Sequence, residues 1–374
     1  MEAARGARGR GILPAQAIEA LIAGGEIASD SPDLTAQVQP ASLDLQLGTR
    51  AYRVRASFLP GSGRSVMERI GELSMHSVDL THGTVLEVGC VYIVPLMERL
   101  ALGPKVSGAA NPKSSTGRLN VFTRLIVDGA AAFDQVPAGY HGPLYAEIAP
   151  NAFSILVRAG DRLNQLRLRR GSPDIDDRDL EKLHREVGLT GTDSGTTRID
   201  RGLVFTIDLA GGGPGTPVGY RAKRHSGVID LSRIGHYDPR EWWEALAPDP
   251  RRRLILDPNE FYILASREAV KIPPDYAAEM VPYDTEIGEF RVHYAGFFDP
   301  GFGADRPQGG TRAVLEVRSH EVPFVVEHGQ PVGRLVYERL AGRPERLYGA
   351  DIGSSYWAQG LTLSKHFKPW TPGL

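Results

Sequence analysis

The stretch "NPKSSTGRL" (111–119) gathers Lys113, Ser114, Ser115 and Arg118 around Gly117. Two cations and two hydroxyls beside a glycine-bearing turn can supply the charge-assisted and backbone N–H donors that a polyphosphate needs. The GxxxxGK[ST] order of a Walker loop is absent, and taken alone the segment reads equally well as a polar surface turn.

A second candidate is a carboxylate inside an apolar strand: Glu147 in "GPLYAEIAPN" and Glu316 in "GTRAVLEVRSH". Desolvation disfavours the charged form of a carboxyl group, which is how such groups become proton shuttles. Either glutamate alone reads better as an outward-facing residue of an alternating strand. Its presence at equivalent places in two copies of one pattern favours chemistry.

Other chemistries find little support. "HEVPF" (320–324) lacks the second histidine of a zinc-protease helix, and there is no GxSxG elbow. The lone cysteine, Cys90, cannot form an internal disulfide or a Cys-x-x-Cys zinc site, which excludes the zinc-dependent type of deaminase. The ten histidines form no ligand-spaced cluster. "RRR" (251–253) reads as a solvated charge run, and the Trp242–Trp243 pair as containing a core anchor rather than a base-stacking platform.

These groups need elements to hold them. The 374 residues allow two ordinary domains, and 41% hydrophobic with 24% charged residues suits a globular protein. A formal net charge of −2 predicts no general attraction to nucleic acid or anionic membrane. No apolar run approaches a membrane span, and the basic N-terminal tip does not read as a secretory signal, so a cytoplasmic location is expected. With 43 glycines and 27 prolines spread along the chain, many short elements joined by turns are expected.

"LPAQAIEALIAGG" predicts a helix with Pro14 in its first turn and Gly24 as its stop; "VQPASLDLQLG" (38–48) predicts a half-buried strand. Short β runs at 91–96, 144–148 and 154–159 follow. A polar stretch at 171–197 interrupts them, with a short exposed helix expected at Asp177–Val187. "PREWWEAL" (239–246) predicts another helix. Tyr92-Ile93 and Tyr262-Ile263 stand 170 residues apart, Glu147 and Glu316 169, and Asp44-Leu45 is matched to Asp208-Leu209 at a smaller offset. The chain therefore reads as two diverged copies of one β-rich fold. Their expected boundaries are 1–172 and 201–374, joined by a linker at 173–200.

Together these segments resemble the dCTP deaminase branch of the dUTPase-like superfamily. The likeness runs through "ILPAQAIEALIAGGEI", "VQPASLDLQLG", "ALGPKVSGAANPKSSTGRLNV", "PAGYHGPLYAEIAPN", "GDRLNQLRL" and, at the far end, "SYWAQGLTLSKHF". The resemblance implies a mainly β chain: two tandem dUTPase-like distorted jelly-roll or β-barrel units with a few short helices. It implies assembly from trimers of units, hence a homo-oligomer. It also implies zinc-independent deamination of dCTP to dUTP, with magnesium carried by the triphosphate and no protein side chain as its ligand. By the same resemblance Lys113, Ser114, Ser115 and Arg118 contact phosphates and help orient water, while Glu147 or Glu316 moves protons. Asp134, Tyr140, Gln165, Asp299, Phe302, Tyr356, Gln359 and Lys365 would contact substrate, and dTTP is an expected regulator.

The copies depart from each other. Asp284 and Gly288 stand where the first copy has Ser114 and Arg118, yet "FFDPGFG" (297–303) and the closing tail belong to the second. That division suggests a composite site using phosphate groups from the first copy and Glu316 from the second. A dUTP pyrophosphatase or bifunctional enzyme, with Asp134 or Asp299 positioning water, is the alternative. A non-catalytic nucleotide-binding regulator is the rival from another class.

Overall fold

The computed structural model describes residues 9–191, 197–213, 215–282, 290–292, 296–304, 309–319, 321–349, 356 and 360–371. The chain is mainly β, as expected, and forms two compact units. Unit one comprises Met1–Pro173, Gly227–Arg233 and Arg339–Arg346; unit two comprises Asp174–Ser226, Ile234–Glu338 and Leu347–Leu374.

In unit one, one sheet runs Gly11–Ile12, Arg162–Arg170, Val106–Pro112 and Gln135–Val136, with Leu43–Gln46 also paired to Arg162–Arg170. The other runs Ser74–Asp79, Arg50–Val54, Val91–Ala101, His141–Pro150 and Val121–Val127, with Ile27–Ser29 added to Val91–Ala101. In a small third sheet Ser154–Val157 lies between Thr84–Leu86 and Val228–Asp230, the last arriving from later in the chain. Leu43, Leu45 and Leu47 are fully buried, each contributing about 1.5–3 kcal/mol relative to exposure. The strand is not half-buried as its alternation predicts: Asp44 and Gln46 are buried too.

Unit two repeats the pattern. One sheet runs Leu203–Thr206, Pro331–Arg339, Tyr276–Pro282 and Phe297–Phe298; the other runs Trp243–Leu246, Gly219–Ala222, Phe261–Val270, Thr311–Ser319 and Phe290–Val292. The two copies agree in hydrogen-bond detail. Glu147 pairs with Ile93 and Glu316 with Ile263. The Tyr92 hydroxyl accepts from the Glu87 amide, and that of Tyr262 from the Asp257 amide. Buried Glu98 accepts from the Gln46 amide, and buried Glu268 from the Thr206 amide.

This register corrects one match made on sequence. Leu43 pairs with Leu166 and Leu203 with Leu335, so Asp44 is equivalent to Val204 rather than to Asp208. Asp208 instead lies past the strand end, paired with Arg312.

The helix at Asp177–Val187 forms where expected, capped by the Asp176 side chain on the Asp179 amide. It buries Leu180 and Leu183 in the core of unit two, so the 173–200 stretch is largely part of that unit rather than a bare linker. The expected helix at 239–246 stops at Trp242. From Trp243 the chain becomes a strand paired to Gly219–Ala222, because the indole is buried against Phe261 and Phe367. Trp242 and Trp243 are both buried, where the sequence predicts that the pair contains one core anchor.

Candidate active site

Val106–Pro112 delivers the phosphate-type turn. Pro112 ends the strand, the Lys113 amide donates to the Leu163 carbonyl at 2.9 Å, and Lys113 opens a one-turn helix at Ser114–Gly117. Amides of Thr116 and Gly117 return to the Lys113 carbonyl, and that of Arg118 to Ser114. Asn120, at φ 55°, then turns the chain into Val121–Val127, using a left-handed conformation that asparagine tolerates well. Ser114 is exposed and Lys113 half-buried, but Ser115 and Arg118 are buried, so only part of this segment is a surface turn.

The Lys113 ammonium is bonded to the Asp44 carboxylate, which is 2% exposed; Arg162 Nη1 lies 3.9 Å from the same oxygen. Asp44 stands opposite Gln165, and Gln165 opposite Asn111. Ser42 Oγ donates to Gln165 Oε1 at 3.3 Å. Lys113, Ser114, Ser115, Arg118 and Gln165 are thus held by one sheet and the turn that leaves it. Asp44 was missed as a site residue, although an acid between leucines in "SLDLQL" was the visible signal.

Glu147 lies on the other sheet of unit one and is 1% exposed. Its Oε1 accepts from Arg124 Nε at 3.0 Å and from Arg124 Nη2, and the guanidinium lies 3.5 Å from the Phe133 ring centroid. Glu316 occupies the matching place in unit two, 5% exposed. Asp134 is bound to its own loop, its Oδ1 accepting from the Leu125 amide at 2.7 Å. Tyr140 is buried; its hydroxyl donates to the Pro143 carbonyl and accepts from the Asp128 amide, and burial pushes its pKa up to about 12.

In unit two, Asp299 is buried at a turn closed by the Phe302 amide on its carbonyl. Phe302 packs edge-on against Phe298 at 5.0 Å and belongs to the hydrophobic core. Tyr356 is buried, its hydroxyl accepting from the Lys365 amide at 3.0 Å. Phe367 bridges to Tyr237 within an aromatic cluster with Trp242 and Trp243. Gln359, Asp284 and Gly288 lie outside the described residues. Among the described residues no group of three or more His, Cys, Asp or Glu could hold a metal ion, and no helix is long and apolar enough to cross a membrane.

Two mainly β units that repeat one strand register define a duplicated dUTPase-like fold class. Residues 9–172 match the model of the 2'-deoxycytidine 5'-triphosphate deaminase N-terminal domain, and residues 176–367 that of its C-terminal domain. A crystal structure of 2'-deoxycytidine 5'-triphosphate deaminase from Agrobacterium tumefaciens is 54% identical, with a TM-score of 0.86, covering 90% of this chain and 100% of that one. Proteins named "dCTP deaminase, dUMP-forming" match more distantly. The one from Parafrankia is 29% identical over 163 residues (41% of this chain, 78% of the relative), and that from Streptomyces avermitilis 29% over 156 residues (39% and 78%). The chain belongs to the 2'-deoxycytidine 5'-triphosphate deaminase family.

Proposed function

We propose that the chain hydrolyses dCTP to dUTP and ammonia without zinc, with magnesium carried on the triphosphate. Lys113, Ser114, Ser115 and Arg118 hold phosphate oxygens, the exposed Ser114 hydroxyl and half-buried Lys113 ammonium being the accessible donors. Glu316 takes a proton from water as its oxygen attacks cytosine C4 and passes it to N3, then moves the proton of the new hydroxyl to the amino group, so that the C4–N bond breaks, C4=O forms and ammonia leaves. The remaining substrate contacts come from Gln165, Asp299, Tyr356, Gln359 and Lys365. The protein works as a homo-oligomer in the cytoplasm, with dTTP as a regulator.

The observation that carries this assignment is the split of motifs between the copies, "KSSTGR" (113–118) standing in the first and "FFDPGFG" (297–303) in the second. The two units hold a glutamate at the same register, and in unit one that carboxylate is engaged by a guanidinium packed on Phe133. Glu316 is assigned to proton transfer because "FFDPGFG" (297–303) and the closing tail belong to its copy, and Glu147 to structure, its Oε1 joining two strands through Arg124.

A second reading is favoured by the relatives named dUMP-forming: the chain would also cleave the dUTP it makes. Incubation with dCTP and magnesium, measuring ammonia and pyrophosphate separately, tests both. Ammonia with intact triphosphate supports the proposal, equal ammonia and pyrophosphate supports the second reading, and nucleotide binding without ammonia defeats both.

A further inference from the structure

We infer that Asp44 is a positioning residue for Lys113, present to aim the lysine ammonium at substrate phosphate rather than to build the fold. The inference rests on the proposed phosphate-binding role of the 113–118 turn.

A polar row crosses one sheet of unit one, with Asp44 and Asn111 buried and Gln165 half-buried between them. Asp44, Gln165 and Asn111 face one another across three adjacent strands, and Lys113 follows two residues after Asn111 along the same edge. Strand residues two apart share a face, so Lys113 continues this row as the strand gives way to the turn. Asp44 is 2% exposed and holds Lys113, whose side chain is 24% exposed; Asn111 is 7% exposed.

The repeat supplies the control. By strand register Asp44 is equivalent to Val204, and Gln165 to Arg334. By sequence, Asn111 corresponds to Val281 and Lys113 to Tyr283. Unit two builds the same sheet with valine in place of the carboxylate, so the fold has no need of an acid here. Burying a carboxylate is costly unless a partner compensates it. An acid that the architecture does without, in the copy that keeps "KSSTGR", fits a task served through Lys113.

The chemistry suits that task. A lysine ammonium carries three donors on a flexible stem. One donor spent on Asp44 fixes the stem and leaves two for phosphate oxygens, so less freedom is lost when substrate binds.

The experiment measures dCTP–magnesium affinity by calorimetry and ammonia release, in Asp44→Asn, Lys113→Met and the double variant, with melting temperature checked throughout. Asp44→Asn is expected to raise Kd and KM about tenfold with kcat changed far less, the split that marks lost ground-state binding. In the Lys113→Met background Asp44→Asn should add less than about twofold, because residues acting through one contact are non-additive. Asp44→Glu should recover part of the affinity. If Asp44→Asn folds poorly, Asp44→Val, the residue unit two carries, takes its place. Unchanged Kd in the Asp44 variants, or effects of Asp44 and Lys113 that multiply independently, would overturn the inference. If the unaltered protein binds dCTP but releases no ammonia, the deaminase reading fails while the affinity cycle still decides the role of Asp44. If it binds no dCTP, both fail.

Discussion

Arg124 donates through both Nε and Nη2 to a single oxygen of Glu147, joining adjacent strands at directly opposed positions. Among the described residues no donor reaches Oε2, the other carboxylate oxygen. The pair joins Val121–Val127 to His141–Pro150 at the register that Glu316 occupies in unit two.

Removing Arg124 therefore strands a buried carboxylate. Arg124→Ala is expected to destabilise the protein by about 3 kcal/mol, the low end for breaking a buried pair, since the guanidinium is partly exposed. Urea unfolding of unit one, followed through a local probe, checks this. A loss below about 0.5 kcal/mol would mean that the pair behaves as an ordinary surface bridge.

Ser114→Ala should leave the fold untouched, because Ser114 is exposed at the start of its one-turn helix. Losing one hydroxyl donor to a charged phosphate costs about 1.5–3 kcal/mol, so kcat/KM for dCTP should fall roughly tenfold or more. Kinetics equal to those of the unaltered protein would show that the hydroxyl does not touch substrate. Arg118→Ala is the poorer probe: Arg118 is 3% exposed, so its loss also disturbs packing.

Glu98 makes stability depend on pH. Burial raises its pKa above the ordinary carboxylate value of 4.5, against the opposing hydrogen bonds from Gln37 and the Gln46 amide. A raised folded-state pKa means that the folded protein holds the proton more tightly than the unfolded chain. The contribution of Glu98 is fully present below pH 4.5 and is lost as pH rises through the folded-state value. Relative to Glu98→Gln, which does not titrate, the unaltered protein should lose stability as pH is raised from about 4.5 toward neutrality. Melting temperatures of both across that window test it; a difference that grows in favour of the unaltered protein would contradict the sign.

Much of the fold was legible because hydrophobic alternation and turn residues survive divergence. The Tyr92 and Tyr262 segments, the two glutamate strands and the Asp177–Val187 helix all stand where the pattern puts them. The errors have local causes. Asp44-Leu45 was matched to Asp208-Leu209 on two letters, whereas register is fixed by Leu43 on Leu166 and Leu203 on Leu335. "PREWWEAL" has a helix start, but burial of the Trp243 indole favours a strand from that residue on. The helix Val66–Leu73 went unread although Ser65 and Glu68 form a capping box, a signal visible in the sequence. The candidate cluster 113–118 was legible from its residue types and spacing. Its partner Asp44 was not, because a polar residue on an alternating strand is read as solvent-facing and here that face is buried.

Chelation separates the proposed chemistry from zinc catalysis. The zinc deaminases use a His/Cys/Cys or three-cysteine ligand set, which a chain with one cysteine cannot assemble. Ammonia release from dCTP should survive a zinc-selective chelator and fall when magnesium is withdrawn. Loss with the zinc chelator, restored by zinc, would sink this reading.

The division of labour between the two glutamates is tested most directly by ammonia release in Glu316→Gln and Glu147→Gln. An amide nearly preserves shape and removes proton transfer, worth roughly 100- to 10,000-fold in rate. Glu316→Gln is predicted to fold, bind dCTP and turn over slower by that factor. Glu147→Gln is predicted to keep most of its activity, because an amide oxygen still accepts from Arg124. An inactive Glu147→Gln beside a normal Glu316→Gln would contradict the account and place proton transfer in unit one.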